Sequence, residues 1–85
     1  EEFVILLPET GLESAVDVAE RLREVVASKV FLKHDLFLDI TISLGVAVTQ
    51  GKVVELQTLI KHADNAMYQS KGHGRNRVTH CTHTL

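Results

Sequence analysis

The 85 residues carry nine Lys and Arg against eleven Asp and Glu, a net charge of −2, which points away from nucleic acid or an anionic membrane as a partner. With 45% hydrophobic and 24% charged residues the chain is too apolar for disorder, and its length suits one small domain that buries ~two-thirds of its unfolded surface. Cys81 is the single cysteine, which excludes an intramolecular disulfide and suits a reducing compartment. No run approaches the roughly 18 apolar residues of a membrane span, and no charged-then-apolar leader marks a signal peptide. The domain therefore reads as cytoplasmic, within a parent that is free to be membrane-attached.

The chain opens on Glu1 and Glu2 directly before an apolar run, with no start methionine and no turn signal, and so reads as cut within a longer protein. Residues 3–7, Phe-Val-Ile-Leu-Leu, predict a short buried strand that Pro8 closes. In residues 12–26, Leu12, Ala15, Ala19, Leu22, Val25 and Val26 recur at helical spacing, with Glu13, Asp17, Glu20, Arg21 and Glu24 opposite them. Thr10 followed by Glu13 is a capping-box pattern, which places the helix start near Thr10. Residues 29–37 hold two apolar clusters around Lys33, His34 and Asp35, the mark of a hairpin or an irregular strand.

From Leu38 to Val48 the alternation is strict and predicts one long strand, with Gly45 as a bulge. A turn at 49–52 leads into a second helix over about 54–71, with Leu56, Leu59, Ile60, Ala63, Ala66, Met67 and Ser70 on one stripe. Gly72 is placed to take the left-handed position that ends it. Val78 begins a last short strand, and residues 80–85 form a tail. The predicted order is strand, helix, strand, helix, short strand: an α/β (α+β) sandwich with helices against a sheet.

Three clusters carry chemistry. Glu1 and Glu2 read either as a solvated turn or as hard-metal ligands, because Mg²⁺ takes carboxylate oxygens. Lys71, Arg75 and Arg77 surround two glycines, which suits phosphate oxygens; the plainer reading is helix-end chemistry, since cations complement the dipole and glycine stops helices. His80, Cys81 and His83 lack the second ligand pair of a closed zinc site and read as tail. His34 and His62 read as surface residues, Asp64 as solvated or capping, and Tyr68 as partial core with its hydroxyl on a polar neighbour.

Taken in order, these pieces resemble the second half of a GGDEF domain, the module that makes cyclic di-GMP. "EEFVILLPET" supplies the last three residues of the name-giving motif and the strand after it. "AVDVAERLREVV" resembles the following helix, and "ITISLGVAV" the strand whose core reads Thr-x-Ser-x-Gly. "LIKHADNAMYQSKGHGRNRV" matches Ala-Asp-x-Ala-x-Tyr-x-x-Lys-x-x-Gly-Arg-Asn position for position. The resemblance covers residues 1–79 and implies a nucleotide-cyclase or palm-like fold. It implies a diguanylate cyclase that condenses two GTP into cyclic di-GMP across an antiparallel dimer of two such domains, with Mg²⁺ (or Mn²⁺) on the phosphates. By position, Glu1 is the metal-ligating acid, and Glu2 the second acid that supports the metal or accepts the hydroxyl proton. Lys71 and Arg75 match the family's residues that contact the terminal phosphates.

The family's Gly-Gly, its upstream metal-binding Asp and the helix pair of the guanine pocket all precede Glu1, so the piece alone is expected to be inactive. The family's first strand lies centrally in the sheet. Without it the remaining strands leave an open seam, and strand exchange between copies is one way to fill that seam. Two other readings stand beside the cyclase: a silent GGDEF module that binds GTP to regulate an attached domain, and a ferredoxin-like or RNA-binding module. The latter is disfavoured, because residues 38–48 display no aromatic for base stacking.

Overall fold

In a computed structural model of the chain, residues 2–49 and 54–81 are described, residues 31–33 by their backbone alone. The elements run α1 (Leu12–Ala27), β1 (Val30–Lys33), β2 (Leu36–Asp39), β3 (Leu44–Val46), α2 (Leu56–Gly72) and β4 (Val78–His80). The mixed α/β class read from the sequence is the one observed. The expected turn at 49–52 falls largely outside the described residues.

The long strand expected over 38–48 is two strands with different partners. β2 pairs antiparallel with β1, Val30 opposite Asp39 and Lys33 opposite Leu36. The two-residue turn between them holds His34 at φ 52° and Asp35 at φ 63°, the doubly left-handed geometry that matches the twist of a tight hairpin and that His and Asp tolerate better than most residues. β3 instead pairs parallel with β4, Leu44 opposite Val78 and Val46 opposite His80. A parallel pair needs a crossover, and α2 is that crossover. Alternation reports extended backbone but not its partner: residues 36–39 close locally on 30–33 and stay exposed, whereas Leu44–Val46 are half-buried under the helices.

Both helices pack on β3 and β4. The buried positions are small: Ala15 and Ala19 one turn apart on α1, Ala66 and Ser70 one turn apart on α2, and Val48 beyond β3. Small residues at this spacing let backbones approach closely, and Gly45 takes that to its limit. A Cβ there would overlap Ala63 O and Met67 N and lie 2.9 Å from Ala66 C, all backbone of α2. Gly45 is thus a close-approach glycine and not the bulge expected from the sequence.

Ser70 is fully buried. Its hydroxyl donates to Leu44 O at 2.8 Å and shares a 2.7 Å hydrogen bond with Thr79 Oγ1, so one side chain ties α2 to both strands. Ser70→Ala is expected to cost about 1–3 kcal/mol, the usual consequence of leaving buried hydrogen-bonding groups unpaired, read as a lower midpoint in urea unfolding.

Three local expectations change. Residues 3–7 form no strand: Phe3, Val4, Ile5 and Leu6 are 84%, 62%, 61% and 58% exposed, because no strand among the described residues pairs with them. Beside them lies a cavity of about 870 Å³ bounded by residues 3–7, α1, β3 and α2. The capping box does not form either. Gly11 precedes α1 without a side-chain cap, and Thr10 Oγ1 donates instead to Pro8 O at 2.9 Å, closing the turn in which Glu9 has φ 54°. Glu13 still lies in the first turn, where its charge complements the helix end. Finally, His80 and Cys81, expected in the tail, continue the ladder: Cys81 N–H donates to Val46 O at 2.8 Å. Among the described residues no helix is long and apolar enough to cross a membrane.

Candidate functional site

A second cavity, of about 460 Å³, opens where the start of the chain meets the end of α2. Glu2, Lys71 and Arg75 line it together with Phe3, Leu22 and Met67. Three of the four residues singled out from the sequence are therefore gathered at one opening; the fourth, Glu1, lies outside the described residues. Lys71 Nζ stands 3.9 Å from Glu2 Oε2, with the side chains 38% and 60% exposed, so the pair is loose and solvated. Tyr68, expected to be partial core, is 68% exposed. The face of α2 turned to the sheet is the one carrying Ala66 and Ser70, and Tyr68 falls off it, with its ring centroid 6.0 Å from Lys71 Nζ.

The way α2 ends decides where the second cation stands. Gly72 remains helical, and Gly74 takes the left-handed position, at φ 111°, that the sequence reading gave to Gly72. Arg75 N–H donates to Ser70 O at 2.9 Å, the six-to-one bond of a Schellman motif, with Gly74 at the position the motif reserves for glycine. The chain then stays left-handed through Arg75, at φ 65°, and Asn76, at φ 48°. Arg77 Nε donates to Arg75 O at 3.2 Å, and Leu44 N–H donates to Arg77 O at 3.0 Å as β4 begins.

Two residues of this neighbourhood escaped the sequence reading. Arg23 on α1 donates from Nη1 to Asn76 Oδ1 at 3.1 Å, and Asn76 N–H donates to Ser43 Oγ at 3.2 Å. The Arg23 guanidinium is itself held by Glu20 Oε2, 2.9 Å from Nη2. That hydrogen bond, with the charges of Glu20 and Glu24, holds the Arg23 guanidinium above its ordinary value. The spacing of Glu20 and Arg23 on one helix was a visible signal; that Arg23 also reaches across to Asn76 was not.

Elsewhere, His62 is half-buried and not the surface residue expected, with Nδ1 3.7 Å from Cys81 Sγ. Asp64 is half-buried at the edge of the larger cavity. Among the described residues no three His, Cys, Asp or Glu side chains converge as a metal site. The opening at Glu2 combines a carboxylate with two cations. Such a set can receive a polyanion on its cations while the carboxylate stays available to a hard metal or a proton.

The model of the diguanylate cyclase GGDEF domain matches residues 1–77. The chain is 42% identical over 80 residues to the response regulator PleD of Caulobacter vibrioides, covering 92% of this chain and 18% of PleD. It is 38% identical over 79 residues to diguanylate cyclase A of Treponema denticola, covering 93% of this chain and 21% of that protein. It is 42% identical over 78 residues to diguanylate cyclase DgcM of Escherichia coli, covering 92% of this chain and 18% of DgcM. The chain thus spans about a fifth of the length of these relatives. A family model matching nearly the whole chain, and identities near 40% over more than nine-tenths of it, lead to one conclusion: the chain belongs to the GGDEF domain family.

Proposed function

We propose that this chain is part of a diguanylate cyclase in which Lys71 and Arg75 hold the terminal phosphates of GTP while Glu2 serves the reacting centre. The observation that supports this most directly is the convergence of Glu2, Lys71 and Arg75, from opposite ends of the chain, on one cavity. Phosphoryl chemistry asks a protein chiefly for positioning and charge, and two cations placed at and just beyond a helix end supply the charge beside the Glu2 carboxylate. Hard cations are commonly bound by one or two carboxylates plus substrate phosphates, a donor set that the exposed Glu2 carboxylate fits in part. Glu1 and Glu2 would hold Mg²⁺ (or Mn²⁺), which when bound neutralises charge on the phosphates. Glu2 either carries that ion or accepts the proton of the attacking 3′-hydroxyl. Condensing two GTP into cyclic di-GMP needs two half-sites, so the partner is a second GGDEF domain in a dimer. The unpaired, exposed residues 3–7 beside an open cavity make strand exchange between isolated copies a second expected association.

The test is incubation of the full-length protein with GTP and Mg²⁺, with cyclic di-GMP measured by chromatography. Product is expected from the full-length protein and none from the 85 residues alone. A folded full-length protein that binds GTP without forming product would remove the cyclase reading and leave the regulatory module.

A further inference from the structure

We infer that Asn76, clamped by Arg23 and Ser43, is a positioning residue that sets Arg75 at the mouth of the cavity; this rests on the reading of Arg75 as a phosphate contact. Arg75 and Asn76 are consecutive non-glycine residues in the left-handed region, at φ 65° and φ 48°. Such backbone persists only where the surroundings over-determine it. Here those surroundings come from three elements. Arg75 N–H is tied to Ser70 O on α2, Asn76 N–H to Ser43 Oγ ahead of β3, and Asn76 Oδ1 to Arg23 on α1.

Asn76 is not among the residues lining the cavity, whereas its neighbour Arg75 is. It acts through Arg75 and not on a ligand. The donor that holds it is also restrained: Arg23 is 21% exposed at its side chain and paired with Glu20 at 2.9 Å, so it presents its Nη1 from a fixed place. A guanidinium has a long, flexible stem, and phosphate recognition by Arg gains when the backbone beneath it does not wander. The Glu20–Arg23–Asn76 chain supplies that restraint from a helix remote in sequence.

The experiment measures GTP binding with Mg²⁺ by equilibrium dialysis on the full-length protein. Asn76→Ala, Asn76→Gly and Arg23→Met are each made in the native and the Arg75→Ala backgrounds. In the native background each variant is expected to raise Kd about tenfold, with Asn76→Gly no better than Asn76→Ala, since glycine supplies the left-handed backbone but not the clamp. In the Arg75→Ala background the same changes are expected to add less than about twofold, the non-additivity of residues acting through one group. Asn76→Gly binding as the native protein does would overturn the proposal in favour of backbone strain alone. Full additivity with Arg75→Ala would overturn it in favour of a general structural role. If Arg75→Ala by itself leaves Kd unchanged, the phosphate reading of Arg75 falls, and this inference with it.

Discussion

Gly45→Ala is expected to destabilise the protein by about 3 kcal/mol or more, at the upper end of what overpacking usually costs. Added methyl groups are often absorbed because a side chain opposite can rotate away. Here the atoms opposite are Ala63 O, Met67 N and Ala66 C, all helix backbone, so α2 has to move as a body. Moving it breaks more than van der Waals contact. Ser70 on the same helix holds Leu44 O and Thr79 Oγ1, and its own carbonyl holds Arg75 N–H. The variant's thermal midpoint is therefore expected to fall by about 12–24 °C. Gly72→Ala is the control. Nothing lies within 4 Å of a Cβ there and the residue is helical, so alanine is expected to stabilise by about 0.5–1 kcal/mol. Loss of stability at Gly72 would mean that it, and not Gly74, takes the left-handed position at the helix end.

The second large effect concerns activity. In the full-length protein, Glu2→Gln and Lys71→Met are each expected to lower kcat/KM for GTP by about 10²-fold or more, the scale of removing one preorganised charged group from a reacting site. The two should divide differently. On the proposed reading, Lys71→Met would remove a phosphate contact made in both ground and transition states and is expected mainly in KM; Glu2→Gln would keep size but remove the charge proposed for the reacting centre and is expected mainly in kcat. Stability separates these effects from misfolding. The pair is 3.9 Å apart and solvent-exposed, so breaking it is expected to change unfolding free energy by less than about 1 kcal/mol. An inactive variant that has also lost its thermal midpoint would show that the pair was structural.

Much of this was legible in the residues, for reasons that differ between elements. α1 and α2 announced themselves because helical period is a local property, and Ala15, Ala19, Ala66 and Ser70 all lie on the stripes read from it. The hairpin at 30–39 was suggested by polar residues between two apolar clusters, although the left-handed pair His34 and Asp35 carries none of the usual glycine. Glu2, Lys71 and Arg75 were singled out through the family resemblance, and all three line one cavity. Thr10 and Gly72 misled because each matched a local rule that a competing arrangement satisfied better: the turn at Pro8 took the Thr10 hydroxyl, and the helix ran on to let Gly74 make the Schellman turn.

By itself, the order of apolar and polar residues determined where the chain is helical or extended, and the motif residues determined the family. Only the tertiary structure decided which extended segments pair. Residues 36–39 closed on their neighbours through two residues, while 44–46 waited for β4 beyond a whole helix. It also decided that Gly45 is where α2 touches the sheet, that residues 3–7 pair with no strand among the described residues, and that Arg23 reaches Asn76. The reason is common to all of them: periodicity is written within a few residues of itself, whereas pairing, close approach and a clamp between distant side chains are settled by competition among contacts that no short window contains.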